Sequence, residues 1–141
     1  MSGPLYNTFS SRAAPKCRGA AEYFDERARA DARMTAEYVV VLTTLPADAD
    51  AAVFARQVVE ERLAACVNLL PIMESVYRWE GRVQRESERQ LVLKTSRDRV
   101  AALWQRVREL HPYEVPEFVV LPIVDGNEAY LRWVGESTEV K

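Results

Sequence analysis

Tyr38-Val39-Val40-Val41-Leu42-Thr43 is the stretch on which the fold turns. Its residues are β-branched or apolar and read as a buried strand. It does not alternate: Val39, Val40, Val41 and Leu42 are all apolar. A strand with one face in water alternates apolar and polar residues, so both faces of this one call for cover.

Downstream the pattern stays regular. Pro46 and Asp48 open a helix with Ala51, Ala55, Val58, Val59 and Leu63 at helical spacing. Cys66 to Trp79 reads as a second strand, bent at Pro71. Glu80-Gly81 supplies a hairpin turn, and Arg82 to Thr95 reads as the third strand. The next helix spans about Arg97 to Leu110, with Val100, Leu103, Trp104, Val107 and Leu110 on one stripe. Phe118 to Val124 is the fourth strand, with Pro122 marking an edge or bulge. Asp125-Gly126 makes a turn, and Asn127 to about Val134 is a short final helix bearing Tyr130, Leu131 and Trp133.

The order β-α-β-β-α-β plus a terminal helix is the split βαβ, ferredoxin-like arrangement, an α+β sandwich. Right-handed crossovers place both main helices on one face of a four-stranded antiparallel sheet. The first and fourth strands, apolar throughout at Val39–Leu42 and Phe118–Leu121, then lack cover on their second face. The economical answer is another copy of the protein. The hairpin agrees, because Arg82 to Arg89 is heavily charged, Ser75 to Trp79 alternates, and the ribbon outruns the two helices. Such a ribbon is marginal alone and its edges invite pairing; a solvated charged hairpin is the plainer reading.

Composition sets the outer bounds. The 141 residues, 48% hydrophobic and 28% charged, suit one soluble domain. A net charge of −2 gives no footprint for nucleic acid or a membrane surface, and no apolar run is long enough to span a bilayer. Cys17 and Cys66 make neither a disulfide framework nor a closed zinc site, so a reducing cytoplasm is the default. Residues 1–33 differ from the rest: six Lys/Arg against four Asp/Glu, several Gly, Pro and Ser, and no strong hydrophobic periodicity. They read as a disordered extension before a folded domain at 34–141, with a faint likeness to a transit peptide, and Met34 is a candidate true start.

The chemistry-bearing residues concentrate in His111-Pro112-Tyr113-Glu114-Val115-Pro116-Glu117, which holds the only histidine. Imidazole titrates near neutrality and ligates metals. The prolines push His111 and Val115 toward extended backbone and stiffen the loop. The segment is a candidate site, or else a helix end handing over to a strand. Cys66 reads as a small buried hydrophobe, with a soft metal ligand or redox thiol as the functional alternative. Trp104 belongs to a core stripe, and Trp79 is an intersubunit anchor or pocket wall. Lys94 marks a cleft rim or a solvated strand end.

Five segments in order resemble the CutA divalent-ion tolerance family: Glu61-Arg62-Leu63-Ala64-Ala65-Cys66-Val67-Asn68, Tyr77-Arg78-Trp79-Glu80-Gly81, Leu93-Lys94-Thr95, the His111–Glu117 loop and Tyr130-Leu131-Arg132-Trp133. The resemblance covers roughly Glu37 to Glu136. It implies a ferredoxin-like subunit in a tight homotrimer of PII-like architecture, tolerance to divalent metals with copper foremost, copper binding in some members, and no established reaction. Copper ligands proposed in the family are a cysteine ending the first strand and two adjacent histidines before Pro-Tyr. Those positions are Thr43, Leu110 and His111 here, and only His111 matches.

The resulting expectation is a cytoplasmic homotrimer that binds rather than catalyses. A divalent ion, copper or another, would sit at His111, Glu114 and Glu117, and a pocket would be walled by Lys94, Tyr77, Trp79 and Tyr113. No organic cofactor is evident. The other classes are an enzyme using His111 as acid or base with Glu114 or Glu117 orienting it, a protein-binding adaptor without a metal, and an RNA-binding module. No G-x-S-x-G, P-loop, G-x-G-x-x-G or H-E-x-x-H pattern occurs, and the aromatic RNA-binding motif is missing.

Overall fold

A computed structural model describes residues 36–141. The expectations for residues 1–33, Cys17 and Met34 lie outside the described residues. Those described form β1 (Tyr38–Pro46), α1 (Ala51–Glu60), β2 (Cys66–Trp79), β3 (Arg82–Ser96), a 3-10 turn (Arg97–Arg99) leading into α2 (Val100–Leu110), β4 (Val119–Pro122) and α3 (Glu128–Thr138). The sheet order is β2-β3-β1-β4, and every neighbouring pair is antiparallel. This is the ferredoxin-like topology expected from the sequence.

Local chemistry sets the boundaries. Helix α1 begins at Ala51 because the Asp50 carboxylate, rather than Asp48, caps it, accepting from the Val53 amide at 3.1 Å. It ends in a Schellman motif: Arg62 takes left-handed backbone (φ 58°), and the Leu63 and Arg62 amides donate to Val58 O (2.9 Å) and Val59 O (3.0 Å). Strand β2 carries its bulge between Leu69 and Ile72, where Leu70 and Pro71 together oppose Gln90. Glu80 (φ 47°) and Gly81 (φ 76°) both have positive φ, the signature of a type I′ hairpin turn. Strand β4 is shorter than the apolar run suggests, since Pro122 offers no amide to the ladder. Helix α3 runs past Val134 to Thr138, capped at its start by Asn127.

One face of the sheet holds the core. Val39, Val41, Leu91 and Leu93 are 0% exposed beneath Phe54 and Val58 of α1 and Leu103 and Val107 of α2. Trp104 packs on Phe118, centroids 4.9 Å apart, as its place on the stripe implies. The opposite face carries Val40, Leu42, Val92, Val119 and Leu121, which the strand register places side by side. Helix α3 covers only the Tyr38/Ser96 end of that face. Gly135 passes so near Tyr38 that a Cβ would stand 3.2 Å from its hydroxyl, and Ser96 and Thr138 share a 2.5 Å hydrogen bond. Val119 and Leu121 remain 42% and 43% exposed. No helix among the described residues is long and apolar enough to cross a membrane.

Candidate functional site

The loop between α2 and β4 is built around His111. Pro112 forbids helical continuation, so His111 turns extended (φ −79°, ψ 134°) while its amide closes the helix on Val107 O at 2.8 Å. The ring is buried, at 8% exposure. Its Nδ1 accepts from the Tyr113 amide at 3.0 Å, and its Nε2 lies 2.6 Å from Thr44 O. A nitrogen that accepts from an amide carries no proton, so Nε2 carries it and donates to the carbonyl. Both nitrogens are therefore committed to backbone groups, one in the loop and one in β1.

The sequence offered His111 as a metal ligand or an acid–base group, and the structure places both its nitrogens on backbone groups. The neutral imidazole is a latch, with neither a free lone pair for a metal nor a free nitrogen for acid–base chemistry. Among the described residues no three His, Cys, Asp or Glu side chains are grouped to hold a metal ion. His111, Glu114 and Glu117, the metal set expected from sequence, do not form such a group among the described residues of the single chain. At the two other family ligand positions, Thr43 is buried and donates to Glu117 O at 2.7 Å, and Leu110 packs against the core.

The same loop forms one wall of a cleft of about 630 Å³ on the open face of the sheet. The hairpin supplies the other wall with Tyr77, Trp79 and Glu88, and the loop supplies Tyr113, Glu114 and Glu117. Register explains the grouping: Met73 opposes Glu88 and Tyr77 opposes Gln84, so Met73, Ser75, Tyr77 and Trp79 share one face of the ribbon with Glu86 and Glu88. Tyr113 stacks obliquely on His111, centroids 5.0 Å apart, and donates its hydroxyl to Glu88 Oε1 at 3.0 Å. Burial, and then the Glu88 carboxylate, push the Tyr113 phenol up to about 12. The Gln90 amide donates to both Thr43 O and Glu117 Oε2 at 2.8 Å, fixing the Glu117 end of the loop to β1.

Of the four pocket residues expected from sequence, Tyr77, Trp79 and Tyr113 meet in this cleft, and Lys94 does not. Lys94 sits six residues beyond Glu88 on β3, roughly 20 Å away at strand spacing. Its ammonium is held by Asn68 and approaches Cys66 Sγ at 3.7 Å. Sequence reasoning missed Glu88 and Gln90. Both sit at alternate positions of a polar run, and only the register with Met73 and Thr44 marks their shared face.

A family model described as CutA1 divalent ion tolerance protein matches residues 39–137. The divalent-cation tolerance protein CutA of Thermus thermophilus is 50% identical over 99 residues, 70% of this chain and 96% of that protein. Human Protein CutA is 48% identical over 96 residues, 68% of this chain, so the chain spans about half (54%) of that relative's length. Among solved structures, CutA1 from Oryza sativa superposes with a TM-score of 0.71 at 42% identity, covering 76% of this chain and 98% of that one. The Thermus thermophilus protein gives 0.70 at 48% identity, covering 72% and 99%.

Proposed function

The chain belongs to the CutA1 divalent ion tolerance family, and from that premise we propose that it serves divalent-cation tolerance as a binding protein, not an enzyme, and works as a cytoplasmic homotrimer. The observation that carries this is the second face of the sheet. Val40, Leu42, Val119 and Leu121 lie side by side there, and helix α3 reaches only one end. Apolar surface of this kind is withdrawn from water by association, at about 25 cal/mol per Å². Three sheets facing one another would cover it and place each hairpin beside a neighbouring chain. The committed nitrogens of His111 argue against the enzyme reading.

With His111 occupied, a divalent ion, copper included, takes its ligands from carboxylates of more than one chain, Glu114 and Glu117 foremost. Metal uptake then belongs to the assembly. Native mass spectrometry of the full chain with and without Cu(II) tests both parts. The expected result is a three-chain mass, reduced to one chain by Leu121→Lys, and copper uptake unchanged in a folded His111→Ala variant. A wild-type chain that stays monomeric at micromolar concentration overturns the assembly. Copper uptake abolished by His111→Ala overturns the carboxylate assignment.

A further inference from the structure

Glu88 stands apart from the other acidic residues. Its side chain is drawn into the base of the hairpin, leaving the residue only 6% exposed. Oε1 accepts a hydrogen bond from the Tyr113 phenol. Oε2 is not among the fully buried, unpartnered side-chain atoms of the described residues, where Arg89 Nε stands alone, and so it keeps its opening to the cleft. No ion pair among the described residues involves it. Its chain neighbour Arg89 falls on the opposite face of the ribbon. A carboxylate held at the base of a cleft with one oxygen taken by a phenol and the other facing the open space is placed to meet a cation there.

The cleft it lines narrows the choice of cation. Glu114 and Glu117 also border the space, and among the described residues no Lys or Arg does. A divalent metal needs several oxygen, nitrogen or sulfur ligands at about 2.0–2.6 Å, and the described residues group no such set. Three aromatic residues line part of the rest, with Met73, Pro112 and Val115 as apolar neighbours: within the single chain Tyr77 and Trp79 are 39% and 45% exposed, and Tyr113 is half-buried above Glu88. Aromatic faces attract large, weakly hydrated cations, guanidinium above all and alkylammonium next. The volume of about 630 Å³ suits a small organic molecule.

We propose that this cleft is a receptor for an organic cation, its guanidinium or alkylammonium head set on the Glu88 carboxylate and its body against Trp79 and Tyr77. The assignment rests on the reading of the protein as a binder and goes beyond it, adding an organic cation held within one chain to the divalent ion taken up between chains. The charged head pairs with Oε2 while Tyr113 keeps Oε1. Glu117, already tied to Gln90, adds negative potential at the rim. The ligand is a free organic cation; an arginine of a neighbouring copy of the chain shares the chemistry and is told apart because removing its carboxylate partner would split the assembly.

Isothermal titration calorimetry of the full chain with butylguanidinium and butylammonium chloride, against sodium chloride at equal ionic strength, tests the proposal. Saturable binding of the organic cations is expected, weakened at least about tenfold by Glu88→Gln, where a single charge-assisted contact is lost. Weaker binding is also expected for Trp79→Ala, whose side chain is exposed at the hairpin end and whose folding is checked by circular dichroism. Each sample's mass is read in parallel. A three-chain mass with no saturable binding up to 50 mM (about the weakest affinity of interest) overturns the inference and leaves the assembly standing. Glu88→Gln that binds like the wild type overturns it too. So does Glu88→Gln that splits the assembly, because the carboxylate then serves a neighbouring chain's arginine.

Discussion

Strand β3 passes through two environments. In its second half Leu91, Leu93 and Thr95 are 0% exposed beneath the helices; in its first half Val83 is 67% exposed, and Val76 on the partner strand 65%. The backbone ladder is the same in both, so the pairing itself does not distinguish them. The sandwich half is stabilised by apolar burial within the chain. The ribbon half has its ladder and exposed pairs such as Arg85 with Glu74, which contribute little in water. Apolar residues held out on such a ribbon are placed for something beyond the chain itself, and the candidate cleft lies where the two regions meet.

The sharpest way to break this comparison is to shorten one side chain in each region. Leu93→Ala removes a fully buried core residue and is expected to lower the unfolding free energy by about 2–5 kcal/mol at any protein concentration. Val83→Ala is expected to cost less than about 0.5 kcal/mol from the chain's own contacts. Urea denaturation at two protein concentrations checks both. Equal costs that grow with concentration would mean a second chain packs on the ribbon as tightly as the helices pack on the sandwich.

The same division governs what could be read from sequence. Elements of the sandwich were legible because apolar periodicity reports burial directly: Val39–Leu42 in β1 and Leu103 with Val107 in α2 are where the pattern puts them. The turn at Glu80-Gly81 and the bend at Pro71 were legible from residues with special backbone demands. Site chemistry was only half legible. Three aromatic residues of the cleft could be named, yet His111 attracts attention for its titratable ring while its partners are carbonyl and amide groups that no side-chain pattern records. Glu88 escaped for the converse reason: in a charged run it resembles a solvated residue, and only the register and the fold of the loop over it make it buried.

A smaller effect tests the seam between the regions. Tyr113 joins the loop to the ribbon through Glu88, and its phenol is held neutral up to about 12 by burial and that carboxylate. In the unfolded chain a tyrosine loses its proton near pH 10. The folded state therefore binds the extra proton between these values. Its contribution to stability is complete below about pH 10 and falls as pH rises from there toward 12. Urea midpoints at pH 9 and pH 11 should show a loss for the wild type that Tyr113→Phe diminishes. An equal loss in both would place the pH dependence elsewhere.

The smallest effect sets one left-handed residue against another. Arg62 (φ 58°) closes α1 in the sandwich, and Glu80 (φ 47°) starts the turn of the ribbon. Left-handed backbone costs a non-glycine residue about 1–2 kcal/mol, and part of the gain on relieving it returns as entropy of the unfolded chain. Arg62→Gly is expected to raise the global unfolding free energy by about 0.5–1 kcal/mol, because Leu63 beyond it is only 6% exposed and the motif opens only with the core. Glu80→Asn relieves a similar strain in a type I′ turn, yet it should raise global stability by less. Its gain should appear instead as slower hydrogen exchange in the Trp79–Arg82 pair, since a ribbon with few packed contacts opens without the sandwich. If both substitutions moved the urea midpoint alike and left local exchange unchanged, ribbon and sandwich would unfold as one cooperative unit.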